Sequence, residues 1–214
     1  MLFKAILATA VAATSAVAAP LHAREETVTV TVTATECGGV STTPTPMPPS
    51  GASSSYFSPS DTWQYSVHNG AIAAAPSLVK IYKSDGNGGK DQSALVTFTY
   101  PVASKGSQCQ LEFHLPAEAN PAGSKKIQVF SSHKPAPGPA SGWAPGNQRN
   151  NHVGTLSVVA GGAATWDFAQ KSSLAFKTPC KAPGSVEAFE FVGVGGFDSI
   201  NWSPSAGYGP RIVY

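Results

Sequence analysis

Two glutamates in alternating segments are the first residues with types suited to catalysis. In Gln110-Leu111-Glu112-Phe113-His114-Leu115 the apolar side chains take one register and Gln110, Glu112 and His114 the other. In Glu187-Ala188-Phe189-Glu190-Phe191-Val192, Phe189 and Phe191 share a face opposite Ala188 and Glu190. Held about 5–9 Å apart, Glu112 and Glu190 would have the separation that acid/base cleavage of a glycosidic bond needs. The plainer reading is that both face water and keep a sheet surface soluble, because no aromatic-lined motif surrounds either one.

Aromatic side chains offer a different chemistry. Trp143 sits in Ala140-Ser141-Gly142-Trp143-Ala144-Pro145-Gly146, within the Gly/Pro-rich stretch Lys134–Asn151. An exposed indole there would stack on a sugar ring or anchor a protein partner; folded back, it would cap the core. Tyr208, in Ala206-Gly207-Tyr208-Gly209, is a second candidate platform or a turn aromatic. Trp63, Trp166 and Trp202 stand in strand-like segments and are expected in the core.

Other chemistries lack their residues. His68, His114, His133 and His152 are scattered singly, without ligand spacing, so no metal or other cofactor is expected. No G-x-S-x-G elbow positions a nucleophilic serine. The glycines of Gly86-Asn87-Gly88-Gly89-Lys90 lie between strands rather than at a helix N-terminus, where a phosphate would bind. Cys109 and Cys180, both in strand-like segments, read as a structural disulfide rather than a reactive thiol. Three connectivities exist among Cys37, Cys109 and Cys180, and spacing does not choose among them.

The elements that must position these residues are short strands. From Ser60 onward the candidates are Trp63–His68, Leu78–Ser84, Ala94–Tyr100, Gln108–Leu115, Lys126–Ser131, Gly154–Ala160, Thr165–Phe168, Leu174–Lys177, Val186–Val194, Ser199–Trp202 and Arg211–Tyr214. Turn formers separate them, among them Lys105-Gly106, Gly161-Gly162, Pro183-Gly184 and Gly195-Gly196. No 12-residue segment has capped helical spacing. Regularly spaced short strands predict an all-β, antiparallel β-sandwich of jelly-roll type over residues 61–214.

Upstream, residues 1–18 read as a secretory signal, with Lys4 ahead of a short apolar run and Ala16-Val17-Ala18 at the cleavage site. Nine or so apolar residues span about 14 Å as a helix, too short to cross a bilayer. Residues 19–39 combine a pro-segment with a Thr/Val-alternating arm, EETVTVTVTATE at 25–36. Residues 40–60 are Ser/Thr/Pro-rich and read as an O-glycosylated linker. Asn201-Trp202-Ser203 is the one N-glycosylation sequon, disfavoured by Trp202 and Pro204.

Of the 214 residues, 14 are basic and 12 acidic, a formal net charge of +2 with no basic patch. That excludes nucleic acid as a partner, since few phosphates could be neutralised. The 10 Phe, 6 Tyr and 4 Trp are too many for a disordered chain. No second apolar run long enough for a membrane span follows the signal.

Three stretches give the chain a family likeness. They are Ser107-Gln108-Cys109-Gln110-Leu111-Glu112-Phe113-His114-Leu115-Pro116 with Ile127-Gln128-Val129-Phe130; Phe176-Lys177-Thr178-Pro179-Cys180-Lys181-Ala182-Pro183-Gly184-Ser185-Val186; and Asp198-Ser199-Ile200-Asn201-Trp202 running to Gly209-Pro210-Arg211-Ile212-Val213-Tyr214. In these the chain resembles fungal secreted proteins with a "ubiquitin 3 binding protein But2 C-terminal" domain, from Tyr56 to the end. The resemblance implies a secreted or wall-associated protein of a filamentous fungus and carries over no catalytic residue. The ubiquitin partner in the family's name belongs to a different compartment from an exported chain.

The expectation is therefore a secreted, non-catalytic extracellular or cell-wall module. It would bind polysaccharide or a surface partner through sandwich loops, with Trp143 and Tyr208 as contacts. The alternatives are an effector or elicitor acting on a host protein, and a glycoside hydrolase using Glu112 and Glu190.

Overall fold

Strand formation follows the period-two pattern. In Gln108–His114, Cys109, Leu111 and Phe113 are buried while Gln110, Glu112 and His114 are half-exposed. The computed structural model describes residues 55–75, 77–143, 148–170 and 173–214. The export signal, the Thr/Val arm, Cys37 and the linker as far as Ser54 lie outside the described residues.

Among the described residues fourteen strands follow one another: β1 (Tyr56–Phe57), β2 (Asp61–Ser66), β3 (Ala71–Ala74), β4 (Val79–Ser84), β5 (Gln92–Thr99), β6 (Gln108–His114), β7 (Ala122–Gly123), β8 (Lys126–Ser132), β9 (Arg149–Ser157), β10 (Thr165–Ala169), β11 (Thr178–Pro179), β12 (Val186–Gly193), β13 (Phe197–Trp202) and β14 (Gly209–Val213). Two single 3₁₀ turns, Val102–Ser104 and Pro204–Ala206, are the only helical pieces among the described residues, and no helix is long and apolar enough to cross a membrane. The chain already joins a sheet at Tyr56, inside the stretch expected to be linker, because β1 pairs with β14 at Val213 and Ile212.

All pairings are antiparallel, and they make two curled sheets in a sandwich-like arrangement. One is four-stranded, in the order β1-β14-β6-β11. The other has ten strands and forks at β5. There β12 lies along Ala94–Thr99 and leads through β8 and β9 to β10. The opposite edge of β5 takes β2, with β3 outside it, and β4 joins where Tyr82 meets Gln92 and continues through β13 to β7.

The main core lies between the sheets. Phe113 of β6 packs on Phe191 of β12 with ring centroids 6.0 Å apart and on Trp202 of β13 at 5.1 Å, while Phe98 meets Phe189 at 6.1 Å. Trp202 is thus in the core, as expected, and Trp63 and Trp166 are half-buried. Gly209 has φ +94°, and a Cβ there would stand 2.1 Å from the Trp202 indole nitrogen. Only glycine lets the last strand pass that ring.

A second, smaller core forms on the other side of β5. Tyr65, Ile72 and Leu95 pack there with Trp63, Ala136 and Trp143. The chain after β8 folds back over the ten-stranded sheet as a strap, and Ile72 and Ala140 exchange backbone hydrogen bonds of 2.8 and 2.9 Å. That exchange covers the edge of β3, which would otherwise offer unpaired donors and acceptors to another chain.

Candidate functional site

Glu112 and Glu190 do not form a catalytic pair. Their neighbours Phe113 and Phe191 meet inside the core, so strand alternation points the two carboxylates away from each other, to the outer faces of opposite sheets. Sheets in a sandwich stand about 10 Å apart, and both side chains add to that separation. Glu190 is also not a solvated surface residue. It is 0% exposed, accepts a 2.6 Å hydrogen bond from Ser93 Oγ and forms a 2.8 Å ion pair with Arg149 Nε. Arg149 of β9 closes on it from 41 residues away, a long-range event that alternation alone does not predict.

Trp143 took the inward of its two expected courses. It is half-buried against the Tyr65–Ile72–Leu95 cluster, where it holds the strap to the sheet. Residues 144–147 of the same loop lie outside the described residues.

Tyr208 lies at a concavity of about 440 Å³ on the four-stranded sheet. Register builds its floor: Arg211 of β14 stands opposite Glu112 of β6, and Gly209 opposite His114. His114 Nε2 is 2.8 Å from Glu112 Oε2, and Arg211 Nη2 is 2.9 Å from His114 Nδ1. Arg211 also pairs with Glu112 at 3.7 Å and lies over the ring of Tyr56 at 4.6 Å. Arg211 Nη2 also approaches His114 Nε2, so guanidinium, imidazole and carboxylate are engaged with one another. Such a site has no free base, but it presents a charged, hydrogen-bonding floor between two tyrosines. The walls include small residues, Ala117, Gly161 and Gly207, beside the exposed tyrosine rings.

A larger cleft, of about 540 Å³, is lined by Tyr100 just after β5, by residues of β8, β9 and β12, and by Gln170, Leu174, Thr178 and Lys181 among others. Glu187 is its one carboxylate among the described lining residues. By period two, Glu187 shares the core-facing register of Phe189 and Phe191. The Tyr100 hydroxyl donates to its Oε2 in a short hydrogen bond, and Lys181 Nζ is 2.5 Å from its Oε1. Neither Glu187, Lys181 nor Tyr100 was singled out from the sequence. The inward register of an acidic residue at a strand end was the available signal.

Burial, reinforced by the Glu187 carboxylate, pushes the Tyr100 phenol well above its ordinary value. A raised folded value means that the native state holds this proton more tightly than the unfolded chain. The contribution is complete below about pH 10, the ordinary phenol value, and is lost progressively as pH climbs past it. Urea midpoints measured from pH 8 to 11 should fall in the wild type above pH 10 and fall less steeply in Tyr100→Phe. Parallel curves would exclude Tyr100 as the cause.

A disulfide, Cys109–Cys180, fixes the far wall of the cleft to β6, its ends 71 positions apart in sequence and their Cα atoms 4.9 Å apart. Of the three connectivities this is the one formed. The wall includes Thr178, Pro179 and Lys181, on either side of Cys180.

No protein-family model matches this chain and no curated protein matches it, so the reading of these sites rests on their own geometry.

Proposed function

We propose that the chain is an exported, non-catalytic module that binds polysaccharide at the Tyr56–Tyr208 concavity. The observation that carries this reading is the pair of exposed tyrosines, 48% and 36% accessible, beside the Arg211–His114–Glu112 floor. A pyranose ring presents an apolar face that stacks on an aromatic side chain and hydroxyls that accept from a guanidinium. The floor is internally paired, which suits recognition and leaves no unpaired acid and base for bond cleavage.

Export is supported by the disulfide, which persists in oxidising compartments, and by the apolar N-terminal segment with its small-residue cleavage site. The likeness to the But2 C-terminal proteins agrees with an extracellular or cell-wall location and adds no residue roles. The contact loops differ from the one expected. They are the turns around residues 116–117, 161–162 and 206–208 rather than Lys134–Asn151, whose Trp143 packs on the opposite sheet.

Affinity electrophoresis or pull-down on chitin, β-glucan and cellulose tests the proposal. Retention on at least one polymer is expected, and Tyr208→Ala or Tyr56→Ala should each weaken it roughly tenfold, the size of a lost aromatic anchor. Absence of retention on all three polymers overturns the reading.

A further inference from the structure

The geometry points to the larger cleft as a binding site for a small protonated amine that also carries hydroxyl groups, distinct from the polysaccharide concavity and independent of that reading. Glu187 is the reason. Its side chain is 18% exposed, on the core-facing register of β12, where a carboxylate is costly to keep unless paired. Tyr100, itself buried, holds Oε2 and so fixes the plane of the carboxylate. The other oxygen, Oε1, is met among the described residues by Lys181, whose side chain is 51% exposed on a flexible stem.

That division of labour matters. The rigid, buried partner orients Glu187, and the mobile, half-solvated partner supplies the positive charge. An ammonium on a ligand reproduces what Lys181 donates, so Lys181 can swing into water while the charge inside the cleft stays balanced. Phe189, Leu174 and Val153 give the cleft an apolar floor. Gln170 and Thr178 line it with side-chain amide and hydroxyl groups that make no hydrogen bond among the described residues. A charged anchor, an apolar floor and uncommitted polar groups are the parts of a small-molecule site. Together they fit a compact ring bearing one ammonium and several hydroxyls.

Calorimetric titration of the full chain with glucosamine, N-acetylglucosamine and glucose tests this. Glucosamine is expected to bind at least tenfold more tightly than the two uncharged sugars. Glu187→Gln keeps an acceptor for Tyr100 and removes the charge, and should cost glucosamine at least tenfold. Lys181→Gln removes the internal competitor, so it should tighten glucosamine at least threefold. If Glu187→Gln fails to fold, as judged by its melting transition, the sign of the Lys181→Gln change still decides. Equal binding of the three sugars overturns the proposal. So does a Lys181→Gln chain that binds glucosamine no better than wild type.

Discussion

Asp198→Ala is expected to cost about 3–5 kcal/mol of folding stability, the range for breaking a buried, fully bonded charged group. Asp198 is fully buried, and both of its oxygens are used twice. Oδ1 accepts from Ser124 Oγ at 2.7 Å and from the Lys125 amide at 3.1 Å. Oδ2 accepts from the amides of Val194 and Gly195 at 2.8 and 2.7 Å. One side chain therefore ties the β7–β8 corner to the β12–β13 turn. The corner has little slack: Gly123 has φ +85° and a Cβ there would run into the Phe197 carbonyl, while Lys125 has φ +58°. Alanine would leave four donors unpaired in a place with no room to rearrange.

Asparagine at the same position sharpens the test. It keeps the shape and one acceptor, yet its amide nitrogen must face donors that need an acceptor. Asp198→Asn should therefore lose about 2–4 kcal/mol, much closer to alanine than an isosteric change usually comes. Urea denaturation at neutral pH measures both. An asparagine variant within about 1 kcal/mol of wild type would mean that these four bonds are not what holds the corner.

Legibility divides along the same line between local pattern and distant contact. β6, β8 and β12 are readable because alternation over six or more residues has one physical meaning. β3 is not, since Ala-Ile-Ala-Ala has no polar partner residues and owes its strand state to β2 and to Ala140 of the strap. Leu174–Lys177 reads as a strand but forms a turn, with the Phe176 amide bonded to the Ser173 carbonyl and the Leu174 carbonyl taken by Leu111. The short strand of that region is Thr178–Pro179 instead.

The sites follow the same rule. Glu190 keeps its predicted register and loses its predicted exposure, because Ser93 of β5 and Arg149 of β9, distant in the chain, close on its carboxylate. Arg211 and His114 are 97 residues apart and meet only through the β14–β6 pairing. Glu187 is the exception: its inward register was legible, and only its partners were not.

Loss of the Cys109–Cys180 bridge should destabilise the fold by about 4 kcal/mol, as chain entropy gives for a loop of some 70 residues. For a body of this size that corresponds to roughly 10 °C or more in melting temperature. The bridge matters locally because β11 is only two residues long and pairs only with Cys109 and Gln108. Without it, the segment depends on a few bonds, such as Cys180 N to the Ser107 carbonyl and Leu111 N to the Leu174 carbonyl. Two forms separate cross-link from packing. Reduced wild type keeps the buried volume of Cys109, whereas Cys109→Ala/Cys180→Ala also leaves a small void. Both should melt well below the oxidised chain, the double variant lowest. Because Thr178 and Pro179 move with this segment, the cleft should lose its far wall and with it ligand affinity in both forms, while the Tyr56–Tyr208 concavity, built on β14 and β6, keeps its own. A melting shift under about 3 °C on reduction would place the strength of that wall in its backbone and side-chain packing, and the entropic account of the bridge would fail.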